Sequence, residues 1–152
     1  MIDRYQSLTV EIARISRYIK RIKTEEIAEI DPSLKGPHIS CLYYIYKNNG
    51  TMTAKEISDI CDEDKASISR SIDYLEHNGY LTCECKTEKR YKSPIFLTDK
   101  GTKISQQIKE KIDNIVELAG IGLTEENRIN FYRTLFLISN NLKNIYDNYG
   151  EN

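Results

Sequence analysis

With 152 residues, 39% of them hydrophobic and 30% charged, and 22 basic against 23 acidic side chains, the chain carries a formal net charge of -1. That length supports one domain, or two small lobes sharing a core, without staples, and the composition suits a soluble, charge-decorated, helix-rich protein. The near-zero charge excludes a uniformly basic surface, so any nucleic-acid contact has to come from local segregation of charge. Such segregation exists. Glu56, Asp59, Asp62, Glu63 and Asp64 form an acidic stretch, whereas Arg14, Arg17, Lys20, Arg21 and Lys23 crowd one segment and Lys86, Lys89, Arg90 and Lys92 another. No run approaches the roughly 18 apolar residues that span a bilayer, and the first residues lack the apolar core and cleavage site of a signal peptide, so a cytoplasmic location is expected. Cys41, Cys61, Cys83 and Cys85 form no C-x-x-C pair, which signals neither a disulfide framework nor a metal site, and no cofactor is expected. Cys83 and Cys85 share a face if they lie on a strand, which leaves a soft-metal or redox role open there.

In chain order, Tyr5, Leu8, Ile12, Ile15, Ile19 and Ile22 alternate steps of three and four, a heptad seam on a first helix that needs a partner helix. Asp31-Pro32 and Gly36-Pro37 break the chain, and Ile39, Leu42 and Ile45 start a second helix that ends near Asn49-Gly50. Thr53 and Glu56 form a capping box for a short third helix with Ile57 and Ile60, which runs into the turn Asp62-Glu63-Asp64. The fourth helix follows in "DKASISRSIDYLEHNGYL". Asp64 suits its N-cap, Ile68, Ile72 and Leu75 form one apolar stripe, and Gly79 stands where a left-handed residue would stop it. The opposite face carries Ala66, Arg70, Asp73 and His77, flanked by Ser67 and Ser69: small, hydroxylated, with one guanidinium, and suited to a groove. Two helices joined by about three residues in this way make a helix-turn-helix pattern.

After Gly79 the period changes. "YLTCECK" and "SPIFLT" read as two strands joined by the charged loop "TEKRYK", and Pro94 marks the second as an edge or irregular strand. Thr98 caps a helix with Ile104, Ile108, Ile112, Ile115 and Leu118 at helical spacing, and Gly120 and Gly122 interrupt it. Thr124 caps a last helix with Ile129, Tyr132, Leu135, Ile138, Leu142 and Ile145 along one side. The expected fold is mainly α with a small β-hairpin wing. Residues 36–103 form a winged helix-turn-helix region, and residues 1–30 and 104–152 a helical dimerisation region.

Glu56-Ile57-Ser58, Ser67-Ile68-Ser69-Arg70, Leu75-Glu76, Gly79, Leu97-Thr98 and Gly101 stand in an order and spacing that resembles the multiple-antibiotic-resistance regulator (MarR) family of bacterial transcription factors. The flanking long helices match too, so the resemblance covers nearly the whole chain. It implies a DNA-binding transcription regulator, expected as a repressor and a homodimer. It also implies a pocket for a small, often aromatic, effector, where His38, Tyr43, Tyr44 and Tyr46 of the second helix would lie. The family's wing signature D-x-R falls on Lys89 and Tyr91, while Glu88-Lys89-Arg90 supplies E-x-R one residue earlier. The redox-sensing branch of the family uses a cysteine in the first helix, and this first helix has none.

The residues themselves support a binding chemistry. Ala66, Ser67 and Ser69 are small enough to let the fourth helix enter a major groove, with its N-terminus and hydroxyls toward phosphate. Arg70 suits a bidentate bond to a guanine edge, Lys65 a phosphate, and Lys89, Arg90 and Lys92 an adjacent minor groove. The plainer alternative for each is a solvated side chain. The apolar terminal helices carry more surface than the winged helix alone could hide, which points to a homodimer reading an inverted repeat in double-stranded DNA with half-sites about 10 bp apart. Catalysis is not expected: His38 and His77 are the two histidines, and neither H-E-x-x-H, G-x-S-x-G nor a glycine-rich loop occurs. The rival reading is a winged-helix module that binds another protein without specific DNA contact.

Overall fold

The computed structural model describes residues 3–61, 63–84 and 90–149, leaving aside the side chains of Tyr5 and Arg90. The first helical stretch opens at Asp3, whose carboxylate accepts from the Gln6 N–H at 3.0 Å. It continues through α1 (Arg4–Gln6), a π-helical turn (Ser7–Glu11) and α2 (Ile12–Ala28). The predicted seam residues Leu8, Ile12, Ile15, Ile19 and Ile22 are exposed, and Ile27 is the buried residue of α2.

Gly36-Pro37 does not break the chain before the second helix but begins it. In α3 (Gly36–Lys47) the proline occupies the first turn, where its missing N–H costs nothing and its fixed φ is already helical. The Lys35 N–H donates to His38 Nδ1 at 3.1 Å and closes that end. Ile39, Cys41, Leu42 and Ile45 are buried, and Asn49 (φ 59°) and Gly50 (φ 86°) turn the chain into a short strand, β1 (Thr51–Thr53).

The capping box forms as its spacing predicts: the Thr53 N–H donates to Glu56 Oε2 at 2.7 Å and the Glu56 N–H to Thr53 Oγ1 at 3.2 Å, opening α4 (Ala54–Cys61). Then α5 (Lys65–His77) starts on Asp64, whose Oδ1 accepts from the Ser67 N–H at 2.8 Å. It ends in a Schellman arrangement, with the Tyr80 N–H on the Leu75 carbonyl at 2.8 Å and Gly79 left-handed at φ 75°.

The sheet departs from the expected two-stranded hairpin. Beside β2 (Leu81–Cys83) and β3 (Pro94–Leu97) it includes β1, in the antiparallel order β1-β3-β2, with Met52 and Cys83 both opposite Ile95. So β3 is the central strand and not an edge. Pro94 is accommodated because it is the first residue of β3, where a missing N–H interrupts little of the ladder.

A latch joins the sheet to α6 (Asp99–Ala119). The Thr98 hydroxyl donates to the Gly79 carbonyl at 2.7 Å and accepts the Gly101 N–H at 3.0 Å. A Cβ on Gly101 would overlap the Tyr80 carbonyl oxygen, so that position admits only glycine at this approach.

The chain forms two compact units, one up to Ile115 and one from Val116. The first contains the core, in which Ile27, Leu34, Ile39, Leu42, Ile45, Ile57, Ile68, Leu75, Ile95 and Ile108 are essentially inaccessible. The second contains the end of α6, a turn, and α7 (Glu125–Tyr149), opened by Thr124 Oγ1 accepting the Asn127 N–H at 3.2 Å. Arg128 braces that turn, reaching Glu117 at 3.4 Å and Glu125 at 3.9 Å. No described residue of α7 is buried.

Candidate nucleic-acid interface

The buried stripe of α5 (Ile68, Ile72 and Leu75, with Ser71 between them) fixes how the helix is rolled, and its roll decides what looks outward. Each fully buried Ile or Leu is worth roughly 1.5–3 kcal/mol relative to exposure, so this roll is strongly held. Lys65, Ala66, Ser69 and Arg70 are consequently exposed and Ser67 is half-buried. These five expected site residues share the first two turns of α5.

The start of α5 is held by two contacts. Asp64 caps it, and the Ser58 hydroxyl donates to the Glu63 carbonyl at 2.7 Å, pinning the turn from α4. With the Ser67 N–H taken by Asp64, the exposed side chains around this helix start present a compact surface of donors and small groups, suited to phosphate oxygens and base edges.

The wing contributes less that can be described. Lys92 is exposed and lies in a 3-10 turn (Arg90–Lys92), whereas Lys89, Cys85 and the Arg90 side chain lie outside the described residues. Between Arg90 and Lys92, Tyr91 turns inward. It packs against the core, and its ring lines a small cavity with Ala54, Ser69, Ile72, Cys83 and Ile95. Its face carries the Lys65 ammonium at 5.4 Å from the ring centroid. Sequence reasoning passed over Tyr91. The available signal was that an aromatic residue interrupts a run of charges.

The four candidate effector residues lie on α3, and three of them take part in two aromatic pairs. His38 stacks face to face on Tyr74 of α5, with centroids 4.2 Å apart, while Tyr43 meets Tyr44 edge-on at 5.2 Å. Tyr46 is half-buried and belongs to neither pair. Burial, aided by the Lys35 charge, pushes the His38 pKa below its ordinary value, which keeps Nδ1 free to accept from Lys35. Burial raises the Tyr44 hydroxyl.

A second polar cluster, also missed, ties the end of α2 to the exit of α5. The Tyr80 hydroxyl donates to Asp31 Oδ2, and Ser33 donates to Asp31 Oδ1 from its N–H at 2.9 Å and its hydroxyl at 2.6 Å. The Lys100 ammonium sits 3.9 Å over the Tyr80 ring. Burial works to raise the Asp31 carboxyl, but the bonds from Ser33 and Tyr80 outweigh it and hold the group below its ordinary value. Tyr80 is pushed up to about 12, first by burial and then by its bond to Asp31.

Burial also raises Cys41 to about 12 and Cys61 to about 11, so both persist as thiols and make poor nucleophiles or metal ligands. Among the described residues there is no cluster of His, Cys, Asp and Glu able to hold a metal ion, and no helix is long and apolar enough to cross a membrane.

Residues 33–90, which hold α3 to α5 and the entry to the wing, match the model of the MarR family. The chain is 24% identical over 133 residues to an uncharacterized HTH-type transcriptional regulator, YybA, of Bacillus subtilis (strain 168), covering 88% of this chain and 87% of that one. Among solved structures it is similar to a MarR-family transcriptional regulator of Listeria monocytogenes in complex with a 26mer DNA, with a TM-score of 0.78, 24% identity, and 93% and 90% of the two chains covered. It is also similar to the organohalide-sensing regulator RdhR-CbdbA1625 bound to 2,4-dichlorophenol, with a TM-score of 0.74, 18% identity, and 93% and 82% covered. The latter two likenesses establish the fold. The match to the MarR family model covers the helix-turn-helix, and the solved structures share the winged helix-turn-helix fold of the whole chain.

Proposed function

We propose that the chain is a sequence-specific, DNA-binding transcription regulator, working in the cytoplasm as a homodimeric repressor on an inverted repeat rather than as an enzyme. The observation that carries this reading is the outward face of the first two turns of α5, where Lys65, Ala66, Ser69 and Arg70 stand exposed on a capped helix start. In this reading α5 enters the major groove, Arg70 reads a base, Ser67 and Ser69 meet phosphate or base edges, and Lys65 meets phosphate. Lys89, Arg90 and Lys92 of the wing approach the neighbouring minor groove. Residues 36–103 form the DNA-binding region, and residues 1–30 with 104–152 the dimerisation region.

Support for the homodimer comes from each unit separately. In the first, Leu8, Ile12, Ile15, Ile19 and Ile22 are exposed; in the second, so are Ile129, Tyr132, Leu135, Phe136, Leu142 and Ile145. Apolar surface on this scale, repeated along helices, marks a protein interface. The phenol bound by the organohalide-sensing relative favours a small aromatic effector, with His38, Tyr43, Tyr44 and Tyr46 as its candidate contacts. The net charge of -1 and the acidic residues of α4 favour the second reading, a winged helix that docks on a protein.

Fluorescence anisotropy on the duplex upstream of the chain's own gene, against a scrambled duplex over a salt series, separates the two. A regulator binds tightly and selectively at two protomers per site, with affinity falling by ~0.9 log units per log unit of salt for each phosphate neutralised. Weak binding without preference favours the protein-docking module. Within the first outcome, Arg70→Ala costs about 1–3 kcal/mol and relaxes preference at one base pair per half-site; a uniform loss on all sequences reassigns Arg70 to phosphate.

A further inference from the structure

Among the described residues of the wing, Tyr91 faces both α5 and the sheet. It packs against the core and shares the lining of one small cavity with residues of α4 (Ala54), α5 (Ser69 and Ile72), β2 (Cys83) and β3 (Ile95), which puts it at the joint between the helix-turn-helix and the wing. Two further observations bear on its role. Among the described residues its buried hydroxyl has no hydrogen-bond partner, and the polar contact that it makes there is through the ring face. The face of that ring supports the ammonium of Lys65, the first residue of α5, at 5.4 Å, within the range where a ring quadrupole attracts a cation.

A ring differs from a carboxylate as a partner for lysine. Several other cations of the chain sit on carboxylates, Lys55 on Asp59 at 3.3 Å, Arg21 on Glu25 at 3.0 Å, Lys111 on Glu26 at 2.7 Å and on Glu29 at 2.9 Å, whereas Lys65, like Lys47 over Tyr43 and Lys100 over Tyr80, sits over a ring. Each carboxylate partner cancels the charge and competes with any phosphate. Among the described residues, the contact recorded for the Lys65 ammonium is a ring, which restrains its position and leaves its full charge available. A restrained but uncompensated cation at a helix N-terminus is the arrangement that meets a phosphate with the least loss of side-chain freedom.

We propose that Tyr91 is a positioning residue for DNA binding, holding the Lys65 ammonium at the rim of α5 for a backbone phosphate while seating the wing against the same helix. The proposal rests on the reading that α5 faces DNA, and it adds to it the specific coupling of wing and helix through one ring. Tyr91 itself touches no DNA in this scheme; it acts through Lys65.

The test is a salt series with the same upstream duplex on the wild type, Tyr91→Phe, Tyr91→Leu, Lys65→Gln and the Tyr91→Leu/Lys65→Gln double variant, with thermal melts of each protein alongside. Tyr91→Phe keeps the ring and removes only an unpartnered hydroxyl, so it binds as the wild type does. Lys65→Gln lowers the salt slope by ~0.9 per protomer, the loss of one phosphate contact. Tyr91→Leu loses most of that same slope although Lys65 is intact, and the double variant loses no more than Lys65→Gln alone. A Tyr91→Leu slope equal to the wild type, or a Tyr91→Phe variant as impaired as Tyr91→Leu, overturns the proposal. If Tyr91→Leu fails to fold, Lys65→Gln, an exposed change, still decides: an unchanged slope overturns it. A wild type that shows no salt-sensitive, selective binding removes the DNA reading itself, an outcome distinct from the others.

Discussion

The winged-helix part of the chain and its terminal helices carry the same kind of sequence pattern and meet opposite fates. Along α3 and α5, apolar residues at helical spacing are buried: Ile39, Leu42, Ile45, Ile68, Ile72 and Leu75. Along α2 and α7, an equally regular pattern is left exposed, from Ile12 to Ile22 and from Ile129 to Ile145, with Tyr146 and Tyr149 at 78%. Periodicity therefore reports that a helix has an apolar face; it does not report whether the covering surface belongs to the same chain. The contrast separates a region that folds on its own core from helices whose apolar faces stay exposed in the single chain.

The largest effect expected is in the buried region. Ile68→Ala removes a fully buried side chain from the inner face of α5 and costs about 2–5 kcal/mol, read as a lowered denaturant midpoint with an unchanged slope. The matching change on the exposed side, Leu142→Asp, leaves the fold of the isolated chain intact and strikes association. Sedimentation is expected to show at least about tenfold weaker dimerisation, or ~1.4 kcal/mol, and the wild-type melting temperature to rise with protein concentration. Equal sedimentation of Leu142→Asp and wild type would erase the contrast. Smaller is Asp64→Ala, which loses the cap on the Ser67 N–H and costs about 1 kcal/mol, visible in thermal melts.

The smallest effect is a pH dependence centred on His38. Burial lowers its folded pKa, so the unfolded chain takes up a proton at the ordinary value near 6.5 before the folded one does. The contribution is fully present above that value and is lost as pH falls from it toward the lower folded value. Urea melts at about pH 7.5 and about pH 5.5 are expected to show the loss, and His38→Gln to flatten that part of the dependence.

Much of the candidate site was legible because its determinants are local. Thr53 with Glu56, Asp64 with the start of α5, and Gly79 at its end are contacts within five residues of one another, and each formed as the spacing implies. What was not legible is what depends on distant packing. Three residues, Thr51–Thr53, are too few to show alternation, so β1 is not legible, and Pro94 by itself points to an edge or irregular strand where β3 is in fact central. Tyr80 meets Asp31 across 49 positions, and no local pattern announces such a pair. Tyr91 was hidden for the same reason: the cavity that it lines is built from four other elements. Gly101 was read as part of a motif, but its reason, the approach of α6 to the Tyr80 carbonyl, appears only in three dimensions.

The π-helical turn at Ser7–Glu11 sets the angular phase of the N-terminus. A π turn accommodates one residue more than an α turn, and each residue of an α-helix advances roughly 100°. The residues before Ser7 are therefore rotated by about that angle relative to where an unbroken α-helix running into α2 would aim them. Deleting one residue from this turn would convert the stretch to a continuous α-helix and swing Asp3 to Gln6 around the axis, while Ile12 to Ile22 keep their direction. Residue number alone thus gives this segment a dial for orienting its first turn, independent of side-chain identity.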